Sequence, residues 1–149
     1  MFGLLGSTLL AIVSSISFGI LTNVPRRALL PSAFTGGMAW ASYYLASQIV
    51  SEIIFPNIIG GFCVGYLSNY FAKKSRTPIT MIYVGSLISL VPGGLAFTSV
   101  QLLGENNTLA MINGGINVIL LAVSLTLGLG LSTIITGGIP KLYSTKTKN

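Results

Sequence analysis

Five long apolar runs, separated by short polar links, constrain this chain more than any other feature. A helix needs about 20 consecutive apolar residues to cross the hydrocarbon of a bilayer. Runs of about this length cover residues 2–22, 29–50, 53–72, 79–103 and 113–139. The pattern predicts an all-α integral membrane protein with about five transmembrane helices. One helical domain is expected over residues 1–140, followed by a short basic cytoplasmic tail over residues 141–149.

The composition agrees with a chain that lies mostly in lipid. Charged residues make up 7% of the sequence and hydrophobic residues 52%, and the mean hydropathy is +0.83. Soluble globular domains carry about 25% charged residues. A chain with so little charge cannot cover a water-facing surface, so the composition excludes an ordinary soluble domain.

The reactive side chains are too few for most enzyme chemistry. Histidine is absent, and the only acidic residues are Glu52 and Glu105. The single cysteine, Cys63, lies in an apolar run and is interpreted as a small buried hydrophobe. Because neither a metal cluster nor a catalytic triad can be assembled from this set, we expect no enzymatic activity, no metal and no cofactor.

The charged residues are sorted by position along the chain. Basic residues follow only the first, third and fifth runs: Arg26, Arg27, Lys73, Lys74, Arg76, Lys141, Lys146 and Lys148. The two glutamates lie in the other two links. Cytoplasmic loops are enriched in Lys and Arg, so the order predicts a multi-pass protein of the cell membrane with its N-terminus outside and its C-terminus inside. Membrane orientation therefore explains the net charge of +6 without a nucleic-acid partner.

The fourth run contains a helix-breaking sequence, LVPGGLAF, at residues 90–97. Pro92 lacks an N–H, and its ring clashes with the carbonyl of Ile88 in a regular helix, at a cost of about 3 kcal/mol. Gly93 and Gly94 add backbone freedom. We expect the helix to break here and the break to face protein or a polar cavity, because lipid cannot satisfy free backbone groups.

A break at this point predicts a site for a carboxylate. The second half-helix would begin near Pro92 and present the unpaired N–H groups of Gly93, Gly94 and Leu95. Helix N-termini of this kind bind anions, and discontinuous helices serve several transporters in this way. Ser86 and Ser89 are candidate hydroxyl partners. The alternative is a proline kink that neighbouring helices satisfy.

Five further polar or aromatic residues inside the runs are candidates for contact with a substrate. Trp40, Tyr43 and Tyr44 lie too deep in the second run for all three to be simple interfacial residues and could line a substrate path. Asn117 and Thr126 in the fifth run could contact substrate or join helices by hydrogen bonds. The alternative to a substrate path is close helix packing. The second and third runs contain closely spaced glycines that favour such packing, namely Gly36 with Gly37 and Gly61 with Gly65.

Three segments together resemble one known family. They are NVPRRALLPSAFTGGMAWASYY at residues 23–44, GYLSNYFAKKSRTPITMIYVGSLISLVPGG at residues 65–94, and the glycine-rich fifth run. In order and spacing they are similar to the threonine/serine exporter family, and in particular to the small membrane subunit of its two-component members. The most specific parts are residues 23–27 and 77–94.

The resemblance implies export of a small carboxylate-bearing substrate, either an amino acid such as threonine or serine or a dicarboxylate such as succinate. It also implies a partner, which would be a larger membrane subunit of the same family. If each of the two subunits has five spans, an odd number, the partner would have inverted topology relative to this chain. A homo-oligomer is a further possibility. Two other roles stay open. One is a scaffold subunit that does not transport, and the other is a small channel or lipid-interacting protein, which the lack of a charged pore ring makes the weaker choice.

Overall fold

The computed structural model describes residues 3–91, 93–104 and 108–137, and within these ranges the chain is helical without any strand. The helices are α1 (Leu4–Leu21), α2 (Arg26–Ile49), α3 (Ile54–Ser75), α4 (Ile79–Leu87), α5 (Gly93–Gly104) and α6 (Thr108–Ile135). The all-α prediction is therefore confirmed. The fourth apolar run forms two helices, α4 and α5, where the other runs each form one.

Proline and left-handed residues set the links at one end of the bundle. Pro25 and Pro78 stand immediately before α2 and α4 in an extended conformation, which a fixed φ and a missing N–H favour at a helix start. Asn23 and Arg76 adopt positive φ values of 55° and 51°, and these residues turn the chain after α1 and α3. Short links of this kind join neighbouring antiparallel helices.

The helices α1, α2, α3, α4 and α6 form the body of the bundle. The helix α3 packs between α2 and α6, and α2 packs in turn against α1 and α4. The helix α5 contacts only α6 among the described helices, so it lies at the side of the bundle as the outer arm of an α5–α6 hairpin. The interruption between α4 and α5 is the point at which α5 leaves the body.

Glycines allow α3 and α6 to approach almost backbone to backbone. A Cβ on Gly61 would lie 2.7 Å from the carbonyl oxygen of Leu125, and one on Gly65 would collide with the side chain of Ser132. From the other side, a Cβ on Gly128 would collide with the carbonyl of Ile58. The predicted close-packing face at Gly61 and Gly65 is thus confirmed. Small residues do the same at helix interfaces in membranes, where apolar burial provides no drive for association.

The pair Gly36 and Gly37 serves the packing of α2 on α1. A Cβ on Gly36 would collide with Ser15, and one on Gly37 would lie 2.5 Å from Cγ1 of Ile12. Both glycines are buried. Close packing is therefore an observed role of this glycine pair.

A buried cluster of Val24, Ala28 and Ile82, with Phe71 and Ala72 against it, joins the α1–α2 link to the end of α3 and the start of α4. The described basic residues flank this cluster and so gather at one end of the bundle: Arg26, Arg27, Lys73, Lys74 and Arg76. Glu52 follows α2, a helix of 24 residues, and lies at the opposite end, about 36 Å away at 1.5 Å per residue. Glu105 and the three C-terminal lysines lie outside the described residues.

Among the described residues, two helices are long and apolar enough to cross a membrane by length and composition: Leu4–Leu21 and, within α6, Leu109–Ile135. The count of five spans, the orientation and the division into a domain and a tail stay predictions.

Candidate functional site

The predicted interruption of the fourth run is present. The helix α4 ends at Leu87, and a turn follows in which the N–H groups of Leu90 and Val91 both donate to the carbonyl of Leu87, at 2.9 and 3.1 Å. The helix α5 begins at Gly93. Pro92, the residue on which the prediction was based, lies outside the described residues.

One detail of the predicted anion site is wrong. The N–H of Gly93 is not free, because it donates to the carbonyl of Val91 at 2.8 Å and closes a tight turn before α5. The N–H groups of Gly94 and Leu95 belong to the first turn of α5, where no intrahelical acceptor exists. The free donors therefore begin one residue later than the sequence suggested.

A cavity of about 230 Å³ lies beside this turn and takes residues from four helices. Its lining residues are Trp40, Tyr43, Asn57, Ser89, Leu90, Val91, Gly94 and Leu121. Four of the predicted substrate residues, Trp40, Tyr43, Ser89 and Gly94, are among them, from two parts of the chain about 50 residues apart. The packing of α2 against α3 and α4 thus brings Trp40 and Tyr43 to the interrupted helix.

The other predicted residues lie elsewhere. Ser86 is fully buried, and its hydroxyl donates to the carbonyl of Ile82 at 2.8 Å. Gly93 is exposed and does not line the cavity. Asn117 and Thr126 are both exposed on α6, and the Thr126 hydroxyl donates to the carbonyl of Val123 at 2.8 Å. A contact between any of these residues and substrate stays a prediction.

Asn57 is a lining residue that the sequence reading missed. It is 2% exposed, and its Nδ2 donates to the carbonyl of Leu121 at 2.7 Å and to the hydroxyl of Ser124 at 2.9 Å. These two bonds orient the amide and use both of its N–H groups, so Oδ1 is the polar atom of this side chain that can accept from a ligand. The sequence did contain a signal for this role, because Asn57 is the only amide in the apolar stretch IFPNIIGG. A buried polar group in a membrane helix needs a partner, so such a residue indicates a contact with another helix or with a ligand.

Trp40 contributes an indole N–H that has no acceptor. Its Nε1 is buried, and no hydrogen-bond partner for it exists among the described residues. The ring lies 5.4 Å from the ring of Tyr43, centroid to centroid. Trp40 and Ser89 also line a second cavity, of about 290 Å³, on the α1 side of the interruption. These two side chains therefore form the wall that both cavities share.

The described residues that line the first cavity are uncharged but include several oriented dipoles. The first turn of α5 supplies N–H groups and the positive end of a helix dipole. The Trp40 indole adds a donor, and the Ser89 hydroxyl, which donates to the carbonyl of Ser86 at 3.0 Å, leaves its oxygen as an acceptor. Asn57 adds a further acceptor, and two aromatic rings complete the wall. Such a site can hold a small ligand that carries both an anionic and a cationic group.

Comparison with known proteins decides the family. The family model described as threonine/serine exporter, ThrE, matches residues 7–135. The chain belongs to the threonine/serine exporter family. The match extends from α1 to the last residue of α6, so it includes all of the elements that form the cavity. No curated protein and no solved structure matches the chain.

Membership of the threonine/serine exporter family makes this chain a membrane transport protein of a non-enzymatic family. The apolar helices α1 and α6 agree with that assignment. The resemblance drawn from residues 23–44 and 65–94 is therefore confirmed.

Proposed function

We propose that this chain is a subunit of an exporter for small neutral amino acids of the threonine and serine type. We place the substrate in the cavity beside the interruption between α4 and α5. The observation that carries the proposal is that Trp40, whose buried indole N–H has no hydrogen-bond partner, lines the same cavity as Gly94 at the start of α5. A buried donor without a partner costs about 1–3 kcal/mol, so a ligand that accepts from it is favoured.

The chemistry of the lining suits the two ends of an amino acid. The carboxylate accepts from Trp40 Nε1 and from the N–H of Gly94, at the positive end of α5. The ammonium group donates to Asn57 Oδ1 and lies against the faces of Trp40 and Tyr43, which attract cations. A volume of about 230 Å³ is below the range of about 300–1,000 Å³ typical of pockets for drug-sized ligands, so it suits a small metabolite.

A dicarboxylate such as succinate is the second candidate substrate. Its first carboxylate would use the same donors. Its second carboxylate would meet the amide oxygen of Asn57 and the electron-rich ring faces, and none of the lining residues is cationic. The absence of a cation among the described lining residues favours an amino acid over a dicarboxylate.

The membrane arrangement that we propose has five spans, formed by α1, α2, α3, the α4–α5 pair and α6. The five described basic residues gather at one end of the bundle, which the positive-inside rule places in the cytoplasm. Glu52 then lies outside. The N-terminus is outside and the C-terminus inside, and the protein resides in the cell membrane.

A larger membrane subunit of the same family is the proposed partner. The α5–α6 hairpin exposes Gly94 beside the cavity and exposes the amides of Gln101, Asn113 and Asn117. Amide groups in a membrane helix are costly in contact with lipid and are favoured at helix–helix interfaces. A partner in inverted topology that covers this hairpin would close the cavity and satisfy the amides.

A tag at the N-terminus tests the topology and the partner together. We expect the tag to react with a membrane-impermeant reagent in intact cells and to co-purify the larger subunit when both are expressed. Protection of the tag until the cells are permeabilised would contradict the orientation. Full export activity from this chain expressed alone would contradict the need for a partner.

The single tryptophan of the chain gives a direct test of the substrate. Titration of the purified complex, with a partner subunit lacking tryptophan, is expected to show a saturable change in Trp40 fluorescence with threonine. The same change should be absent with 1-amino-2-propanol, which keeps the ammonium and hydroxyl groups of threonine but lacks the carboxylate. A response to succinate without a response to threonine would establish the dicarboxylate alternative. A lack of response to every compound would favour a scaffold role.

A further inference from the structure

The cluster of basic residues at one end of the bundle has no acidic counterpart in the described part of the chain. Glu52 is the only acidic residue in the described ranges, and it lies at the far end of α2. Lys73 is exposed and belongs to the last turn of α3. An anion that neutralises this lysine must therefore come from outside the described residues.

A cavity of about 180 Å³ lies beside Lys73, between the end of α3 and the end of α6. Its lining residues are Tyr66, Asn69, Tyr70, Lys73 and Thr136. The four residues of α3 are spaced i, i+3, i+4 and i+7, so they share one face of the helix. The hydrogen bond from Asn69 Nδ2 to Thr136 Oγ1, at 2.7 Å, joins the two helices at the floor of the cavity.

The groups around this cavity are mainly hydrogen-bond donors. Tyr66 and Tyr70 are 49% and 57% exposed, so their hydroxyls can reach a ligand. Lys73 adds an ammonium group, and Asn69 has a second amide N–H beyond the one that it gives to Thr136. Thr136 contributes no donor, because its hydroxyl already donates to the carbonyl of Ser132 at 2.8 Å.

The helix ends at this position do not prevent anion binding. Helix C-termini carry a partial negative charge, which would disfavour an anion. At the end of α3 the N–H groups of Arg76 and Thr77 both donate to the carbonyl of Ala72. Three full positive charges, on Lys73, Lys74 and Arg76, also outweigh the half charge of the helix end.

The surroundings of the cavity indicate that its ligand has an apolar part. The ring of Tyr66 stacks on that of Phe62, at 6.3 Å between centroids and an interplanar angle of 15°. Phe62 lies one helical turn before Tyr66, so this stack continues the aromatic face along α3 in the direction away from Lys73. A polar end with lysine and phenol hydroxyls, followed by an aromatic face, is the arrangement by which membrane proteins hold lipid headgroups at the interface.

We propose that the cavity lined by Tyr66, Asn69, Tyr70 and Lys73 binds the phosphodiester headgroup of an anionic phospholipid. The phosphate oxygens accept from the Lys73 ammonium, the Asn69 amide and the two phenol hydroxyls, and an acyl chain lies along Phe62. The site is separate from the cavity beside the α4–α5 interruption and shares no lining residue with it.

Native mass spectrometry of the purified chain with phosphatidylglycerol or phosphatidylcholine tests the proposal. We expect the first phosphatidylglycerol to be retained at least fivefold more strongly than phosphatidylcholine. Lys73→Gln should remove this preference, since the attraction of one lysine to anionic lipid at a membrane surface corresponds to about a fivefold change in binding. Lys74→Gln is the matched control, because Lys74 carries the same charge, is exposed and does not line the cavity.

The outcomes distinguish a specific lipid-binding site from non-specific electrostatic attraction between the basic end of the bundle and anionic lipids. Equal losses in Lys73→Gln and Lys74→Gln, or equal retention of both lipids by the unmodified chain, would overturn the proposal. Displacement of the lipid by millimolar inorganic phosphate would also overturn it, in favour of a site for a free anion. A loss of the preference for phosphatidylglycerol in the double variant Tyr66→Phe, Tyr70→Phe, in which Lys73 is intact, would support the proposal. Both lysines are exposed, so size-exclusion profiles of the glutamine variants should match that of the unmodified chain.

Discussion

Replacing Gly128 by alanine is expected to destabilise the fold by about 3 kcal/mol, the upper part of the range for overpacked cores. The added methyl group would collide with the carbonyl of Ile58 and lie 2.8 Å from the backbone nitrogen of Phe62. Both obstacles are backbone atoms, so no side-chain rotation can relieve the contact. The helices α3 and α6 must separate, and this interface also supports the bonds from Asn57. The melting temperature in detergent and the yield of monodisperse protein measure the effect.

Gly130→Ala is the matched control for this effect. Gly130 lies two residues further along α6, and nothing is within 4 Å of a Cβ added there. Alanine is a better helix former than glycine by about 1 kcal/mol, so this variant should be neutral or more stable. Equal melting temperatures for the two variants would show that α3 and α6 are not in close contact at Gly128.

Trp40→Phe is expected to slow threonine export by about 10- to 100-fold while the fold is retained. The substitution removes the indole N–H and keeps an aromatic ring beside Tyr43. A hydrogen bond to a charged group contributes about 1.5–3 kcal/mol, and 1.4 kcal/mol corresponds to a factor of ten. The unpaired state of Nε1 in the structure means that no structural bond is lost. Initial rates of efflux from proteoliposomes loaded with labelled threonine measure the change.

Tyr44→Phe provides the comparison for Trp40→Phe. Tyr44 is on the same helix, loses one polar hydrogen in the substitution and is not among the residues that line the cavity. Its export rate should stay within twofold of the unmodified rate. Wild-type export by Trp40→Phe in an assembled complex would remove Trp40 from the substrate site and favour the scaffold role.

Much of the candidate site was predictable because its signals are local. The sequence LVPGGLAF predicts an interrupted helix from the properties of proline and glycine alone. Trp40 and Tyr43 were noted because of their depth in the second run, and Ser89 because it shortly precedes the predicted interruption. The pairing of Gly93 with Val91 was missed, because the exact residue at which a helix resumes depends on the turn that precedes it.

Asn57, Asn117 and Thr126 show the limit of the same reasoning. All three are polar residues inside apolar runs, and nothing in their neighbours along the chain separates them. Asn57 contacts α6 and lines the cavity, whereas Asn117 and Thr126 are both exposed on α6. Their different positions depend on how each helix is rotated about its axis, which the contacts at Gly61, Gly65 and Gly128 decide.

The sequence by itself determined that this chain is helical, that its fourth run is interrupted and that it is related to the threonine/serine exporters. Hydropathy, proline geometry and the order of motifs carry these conclusions, and each depends on residues close together in the chain. Only the tertiary structure decided that Trp40, Asn57 and Gly94 share one cavity and that Tyr66 and Lys73 share another. Such groupings depend on which helix faces meet, and those faces are selected by glycine contacts between residues far apart in sequence.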